Sequence, residues 1–176
     1  GPTGSSLQFP DALFAAARVE GCAAELELHC CHVAIREFAR SVSAGKLFLN
    51  LSAEALLTLP FEGLLDGARF ARRFGLLPSR IVIELTEHTR VTSVQRLAAA
   101  LAPLREAGVG LALDDFGDGH SSLRSWTELA PDYVKVDKYF VKGIHTSNRH
   151  LDILRVYLYV AERFGGALIA EGIEQE

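Results

Sequence analysis

Cysteine is scarce in this chain: three among 176 residues, two of them adjacent at Cys30 and Cys31. An odd count with a vicinal pair inside a helix-like run does not make a disulfide framework. The segment His29-Cys30-Cys31-His32 has a superficial look of zinc, but its spacing matches no closed four-ligand site. Basic charge is short as well. Eighteen Lys and Arg stand against 22 Asp and Glu, a formal net charge of −4, and no basic stripe runs along any segment. That argues against a protein that coats a nucleic-acid polymer. Long apolar runs are also missing. None approaches the roughly 18 residues of a membrane-spanning helix, and the first residues lack the basic-then-apolar pattern of a secretory signal. The expectation is a cytoplasmic chain without membrane contact. What is present is a 49% hydrophobic content, enough for one globular domain with a sizeable core.

Periodicity divides the chain into alternating helices and short apolar runs. Residues 11–44 read as helices, with Leu26, Cys30, Val33, Ala34 and Phe38 at helical spacing. Leu47 to Leu51 reads as a strand, and Ser52 suits the cap of a following helix. Helical character continues from Phe61 to Phe74, and Ile81 to Leu85 is β-branched enough for a buried strand. Val91 to Ala107 is a predicted helix ending at Gly108. Strand Val109 to Leu113 follows it, then a glycine loop and a short helix from Ser121 to Leu129. Strand Tyr133 to Val136, helix Asn148 to Phe164 and strand Ala167 to Ala170 complete the pattern.

The strands share one feature: each ends in a polar side chain, Asn50, Glu84, Asp114, Asp137 and Glu171 in turn. The steps of 34, 30, 23 and 34 residues suit strand-plus-helix units of a parallel sheet. Function in such α/β folds sits at the carboxyl ends of the strands, and five contributing strands favour a (β/α) barrel over an open doubly wound sheet.

Asn50, Glu84, Asp114, Asp115 and Glu171 form an all-oxygen set that suits a hard cation such as Mg²⁺, Mn²⁺ or Ca²⁺ and does not favour zinc or copper. The adjacent pair Asp114-Asp115 does not easily grip one ion, but with one carboxylate bridging it holds two ions roughly 4 Å apart, an arrangement that clamps a phosphodiester. Lys135 lies two positions before Asp137, so on a strand both face the same way, and an ammonium within an apolar strand needs a reason. Taken singly, Asp115 or Asp137 reads more simply as a helix cap or Asx turn. Five strands that all place polar groups at one end are not explained that way.

These residues resemble the EAL domain, the phosphodiesterase domain that linearises the bacterial messenger cyclic di-GMP. The motifs are Asn50-Leu51-Ser52, Glu84-Leu85-Thr86-Glu87, Asp114-Asp115-Phe116-Gly117 followed by Gly119 and Ser121-Ser122-Leu123, Lys135-Val136-Asp137, and Ala170-Glu171-Gly172-Ile173-Glu174. The resemblance implies a TIM-like (β/α) barrel and a site with two Mg²⁺ or Mn²⁺ ions, hydrolysing cyclic di-GMP to linear pGpG. It makes Asn50, Glu84 and Asp114 ligands of the first ion, with Asp114 bridging to a second ion held by Asp115 and Glu171. Lys135 would contact the attacking water or the phosphate, with Asp137 beside it. Glu87 would tether the loop from Phe116 to Ser122, and Glu174 would support the ligands by hydrogen bonding. A homodimer and fused sensory or GGDEF-type domains are usual partners in the family. The alternative is a catalytically silent member that binds cyclic di-GMP or a protein and signals by conformation.

Three departures stand beside the resemblance. The Glu-Ala-Leu signature is absent from its usual place ahead of the first helices, and Glu54-Ala55-Leu56 repeats its letters on a predicted helix. Residues 1–176 therefore read as one EAL-like domain in part, an incomplete barrel whose first strand is expected upstream of Gly1 and last two beyond Glu176. Asp118 and His120 replace the threonine and tyrosine common in the family's loop.

Overall fold

The computed structural model describes residues 1, 4–41, 44–59, 72–86, 93–117 and 123–173. Two helices open the chain, α1 (Pro10–Val19) and α2 (Ala23–Arg40). Then come β1 (Leu47–Ser52), α3 (Ala53–Thr58), β2 (Ile81–Thr86), α4 (Val94–Glu106), β3 (Gly110–Phe116) and α5 (Leu123–Leu129). The chain continues through β4 (Tyr133–Val136), the single-turn α6 (Lys138–Val141), α7 (Asn148–Phe164) and β5 (Ala167–Ala170). No helix among the described residues is long and apolar enough to cross a membrane.

Local chemistry explains most boundaries. Pro10 sits at the first position of α1, where its missing N–H costs nothing. Ser52, Ser93 and Ser147 each accept a hydrogen bond from a backbone amide of the first turn of α3, α4 and α7. Gly165 ends α7 at φ +75°, a conformation that favours glycine. The helices predicted over 11–44 are α1 and α2, separated at Gly21 with φ +70°. The predicted helical segment from Phe61 lies almost wholly outside the described residues.

All five strands are parallel and lie in chain order, β1-β2-β3-β4-β5. Order equal to sequence, with a helix between successive strands, is the winding of a (β/α) barrel, and the described strands form an unclosed arc of it. One face of the arc is apolar and covered by helices. Leu49, Leu51, Ile81, Ile83, Leu85, Leu111, Leu113, Phe116 and Val134 are buried there against Leu56, Leu97, Leu101, Leu104 and Trp126. Trp126, on α5, is fully buried and meets Phe116 edge-on at 5.0 Å, which fixes the far end of β3. Replacing Trp126→Ala is expected to cost about 3–5 kcal/mol of stability, read from the shift in a urea unfolding midpoint.

Candidate active site

Strand alternation and register choose which side chains reach the inner face. Asn50 pairs with Glu84, Glu84 with Ala112, Ala112 with Tyr133, and Tyr133 with Ala167. Paired residues share a face, and so do residues two apart. Asp114, Lys135 and Glu171 therefore join Asn50 and Glu84 on the face opposite the helices. The polar residues come two positions later on β3 and β4 than on β1 and β2, and four positions later beyond β5. This is the stagger of tilted strands, which brings chain-distant groups to one level at the carboxyl end of the sheet.

Asp114 and Asp115 are neighbours, and simple alternation would send them to opposite faces. The structure prevents this with a bulge. Leu113 pairs with Val134 and Phe116 with Val136, so Asp114 and Asp115 together oppose the single residue Lys135. Asp115 takes φ +46°, a left-handed conformation that aspartate tolerates better than most residues, and its N–H donates to Asp114 Oδ1 at 3.0 Å. Strand β3 thus runs on through Asp114-Asp115-Phe116, where the sequence pattern predicts an end at Leu113. Carboxylate oxygens of Asp114, Asp115 and Glu171 lie within 4.8 Å of one another, close enough to share a cation.

Lys135 is the centre of the site. Its Nζ meets Glu84 Oε1 at 2.5 Å, Glu171 Oε1 at 2.6 Å and Asp114 Oδ1 at 2.8 Å. Burial alone would lower the lysine's pKa, but hydrogen bonds to Asp114, Glu171 and Glu84 outweigh it and hold the ammonium protonated well above its ordinary range. Glu84 is 6% exposed. Burial pushes its carboxyl up to about 7, opposed by Lys135 and reinforced by the Asp114 carboxylate.

Two glycines permit this geometry. Gly117 has φ +110°, and a Cβ there would stand 2.5 Å from Phe140 Cε2. Gly172 has φ +67°, and a Cβ there would stand 2.8 Å from Lys138 Cβ. Each lets the chain turn within two residues of a candidate ligand, Asp115 or Glu171, under the aromatic and aliphatic cover of α6.

The other candidates fall in different places. Asn50 is exposed beside a cleft of about 740 Å³ that Asp11, Arg18, Glu27 and Cys30 also line. Asp137 caps α6, its Oδ1 accepting from Tyr139 N–H at 2.8 Å, and no described contact joins its carboxylate to Lys135. Glu87, Glu174, Asp118 and His120 lie outside the described residues. The cysteines form no cluster of metal ligands with His29 and His32 among the described residues, since the one group found is Asp114, Asp115 and Glu171. Sequence reasoning passed over Glu27, whose Oε2 accepts from Ser52 N–H at 2.8 Å. The available signal was its place one turn before Cys31 on the inward side of α2.

The family model for the EAL domain matches residues 2–176. The chain belongs to the EAL domain family. A Mycobacterium tuberculosis protein is 36% identical over 159 residues, 88% of this EAL chain and 25% of that protein. The cyclic di-GMP phosphodiesterase NbdA of Pseudomonas aeruginosa is 30% identical over 167 residues, 94% of the chain and 21% of that protein. Among solved structures, the manganese and cyclic di-GMP complex of Klebsiella pneumoniae BlrP1 at pH 6 superposes with a TM-score of 0.85 at 30% identity. It covers 94% of the EAL chain and 42% of BlrP1. The EAL chain therefore spans about a quarter of the length of the first of these curated relatives.

Two outcomes follow from this geometry. Gly117→Ala forces both a left-handed alanine and a ring displacement at Phe140, and a loss of about 1–3 kcal/mol in denaturant unfolding is expected. The second concerns pH. Between its ordinary pKa near 4.5 and about 7, Glu84 binds more protons in the folded metal-free chain than unfolded, so its contribution to stability falls as pH rises through that window. A cation held by Glu84 would have to displace that proton, so if Glu84 is a ligand Mn²⁺ affinity is expected by calorimetry to rise from pH 6 to about 7 and to flatten above it. An affinity flat across pH 6–7 would contradict a Glu84 ligand.

Proposed function

We propose that this chain is part of a metal-dependent phosphodiesterase that hydrolyses cyclic di-GMP to linear pGpG. The observation that carries the reading is the convergence of Glu84, Asp114 and Glu171 on Lys135, with Asp115 at the same bulge. Four carboxylates against one ammonium leave the site strongly negative, and Glu84, whose carboxyl burial pushes up first and the Asp114 carboxylate further, sits within that excess. An all-oxygen, acidic donor set fits divalent cations such as Mg²⁺ or Mn²⁺, and the manganese complex of BlrP1 supports the choice. The reading assigns Asn50, Glu84 and Asp114 to a first ion and Asp114, Asp115 and Glu171 to a second. Two such ions supply Lewis acidity to the phosphodiester and acidify an attacking water.

The chain's own residues supply position. The bulge holds Asp114 and Asp115 side by side, so one strand serves both ions. Lys135 keeps its proton and fixes Asp114, Glu84 and Glu171 relative to one another, and when a cation takes one of those carboxylates the N–H it releases would steady a water or a phosphate oxygen. Water oxygen bonds to phosphorus, one P–O3′ bond breaks, and a proton passes to the departing 3′ oxygen. Asp137 acts through α6, which it caps, and for Glu87 the reading keeps the role that the family resemblance implies. The reading treats residues 1–176 as one domain within a cytoplasmic protein, and family likeness extends it to a homodimer with fused GGDEF-type or sensory domains.

Formation of pGpG with Mg²⁺ or Mn²⁺, abolished by EDTA, is the test. Asp114→Asn and Lys135→Ala are each expected to lower turnover at least about 100-fold. Turnover that survives Asp114→Asn would refute the site assignment. Tight cyclic di-GMP binding without product under either metal would make the protein a silent receptor instead.

A further inference from the structure

Helix α6 grips the irregular stretch of β3 at two points. At its head the Asp137 N–H donates to the Phe116 carbonyl at 3.3 Å. Three residues on, the Phe140 ring lies against Gly117, where a Cβ would stand 2.5 Å from Cε2 and 3.1 Å from Cδ2. Both contacts come from one closed turn. Asp137 Oδ1 accepts from the Tyr139 N–H at 2.8 Å, and the Asp137 carbonyl accepts from the Phe140 N–H at 3.0 Å. The ring is itself caged, meeting Tyr139 at 5.2 Å and both His150 and Tyr157 at 6.0 Å, each edge-on. Tyr157 in turn meets Phe116 edge-on at 5.2 Å.

The same turn also touches the end of β5. Gly172 passes beside Lys138, where a Cβ would stand 2.8 Å from Lys138 Cβ and 3.7 Å from its Cα. Helix α6 is therefore wedged between Gly117, two residues after Asp115, and Gly172, one residue after Glu171. Those are two of the three carboxylates whose oxygens lie within 4.8 Å of one another. Asp115 needs a hold of this kind. At φ +46° its backbone is in a region that a non-glycine residue keeps only where its surroundings enforce it. Phe116, buried against Trp126, anchors the next residue in the core, and Phe140 blocks the chain one residue further on.

We propose that Phe140 is a positioning residue that, by seating Gly117, holds Asp115 at the distance from Glu171 that a second divalent cation needs. This rests on the reading of Asp115 and Glu171 as ligands of that ion. Ligand side chains must be held within about 0.5 Å of their working places, and loss of a supporting contact weakens metal binding about 10–100-fold.

Mn²⁺ titration of the full-length protein without nucleotide tests it, read by calorimetry and by the spin-coupled resonance of two ions roughly 4 Å apart. The variants are Asp115→Asn, Phe140→Ala, Phe140→Tyr and the double variant Asp115→Asn/Phe140→Ala. Asp115→Asn keeps the left-handed backbone accessible and shows which binding step belongs to the second ion. Phe140→Ala is expected to weaken that step about tenfold, to change the other step less than about threefold, and to reduce the coupled signal. On the Asp115→Asn background it adds less than about threefold, because both act on one ligand. Phe140→Tyr keeps every ring atom and stays within about threefold of the parent. Phe140→Leu, which keeps apolar bulk but lacks the Cε2 and Cζ that reach Gly117, replaces Phe140→Ala if that variant does not fold. Asp115→Asn that weakens neither step, or both alike, overturns the two-ion reading and this inference with it. A selective Asp115→Asn loss overturns the positioning role alone if the Phe140 variants leave both steps unchanged or weaken both equally, if the losses are fully additive, or if tyrosine fails to rescue.

Discussion

The Lys135 ammonium is the constraint around which the inner face is arranged. It stands 14% exposed in a strand whose alternate residues are buried, where an unpaired charge would be very costly. Three carboxylates meet it, from β2, β3 and the turn after β5, so a single cation ties together strands far apart in the chain. The dependence is mutual. Without the ammonium, Glu84, Asp114 and Glu171 would face one another as like charges at short range, and the sheet would have to open or bind protons. Such a cluster is weak evidence for stability, because burial offsets much of the Coulombic gain, but it does fix geometry.

The bulge at Asp114-Asp115 follows from the same requirement. A regular strand presents one side chain per two residues to the inner face, so β3 alone could supply one carboxylate opposite Lys135. Inserting a residue supplies two. The local cost is a left-handed aspartate, offset by the Asp115 N–H bond to Asp114 Oδ1 and by Phe116, which returns to the apolar face and locks against Trp126. Gly117 then lets the chain pass beneath the Phe140 ring. Among the described residues the irregular backbone here covers Asp114 to Gly117, held on one side by the core and on the other by an ion pair.

Much of this was legible in the sequence. Strands Tyr133–Val136 and Ala167–Ala170 and helix Asn148–Phe164 fall where periodicity and the Gly165-Gly166 stop place them, because their signals are local. The polar strand ends were legible for the same reason, since a carboxylate after an apolar run has few structural explanations. The bulge was not, because alternation rules assume one residue per pleat and no local signal marks an added one. Asp137 looked like a partner of Lys135 by spacing, yet the described structure uses its carboxylate as a helix cap, the simpler of its two readings. The Glu27 bond to the Ser52 amide was invisible because it depends on where α2 packs, a fact of tertiary structure.

Charge also limits how an anionic ligand can enter. The chain carries a formal net charge of −4, and its inner face concentrates four carboxylates near one lysine already engaged three times. A phosphodiester approaching that face meets a field of its own sign, which at contact distance and an effective dielectric of about 20 costs on the order of 4 kcal/mol per uncompensated charge. On the proposed reading, divalent cations would have to reverse the local charge before an anionic ligand could be held. The acidity of the site would then set an order of events, cation first and anion second, with Lys135 keeping the carboxylates converged until the cation arrives.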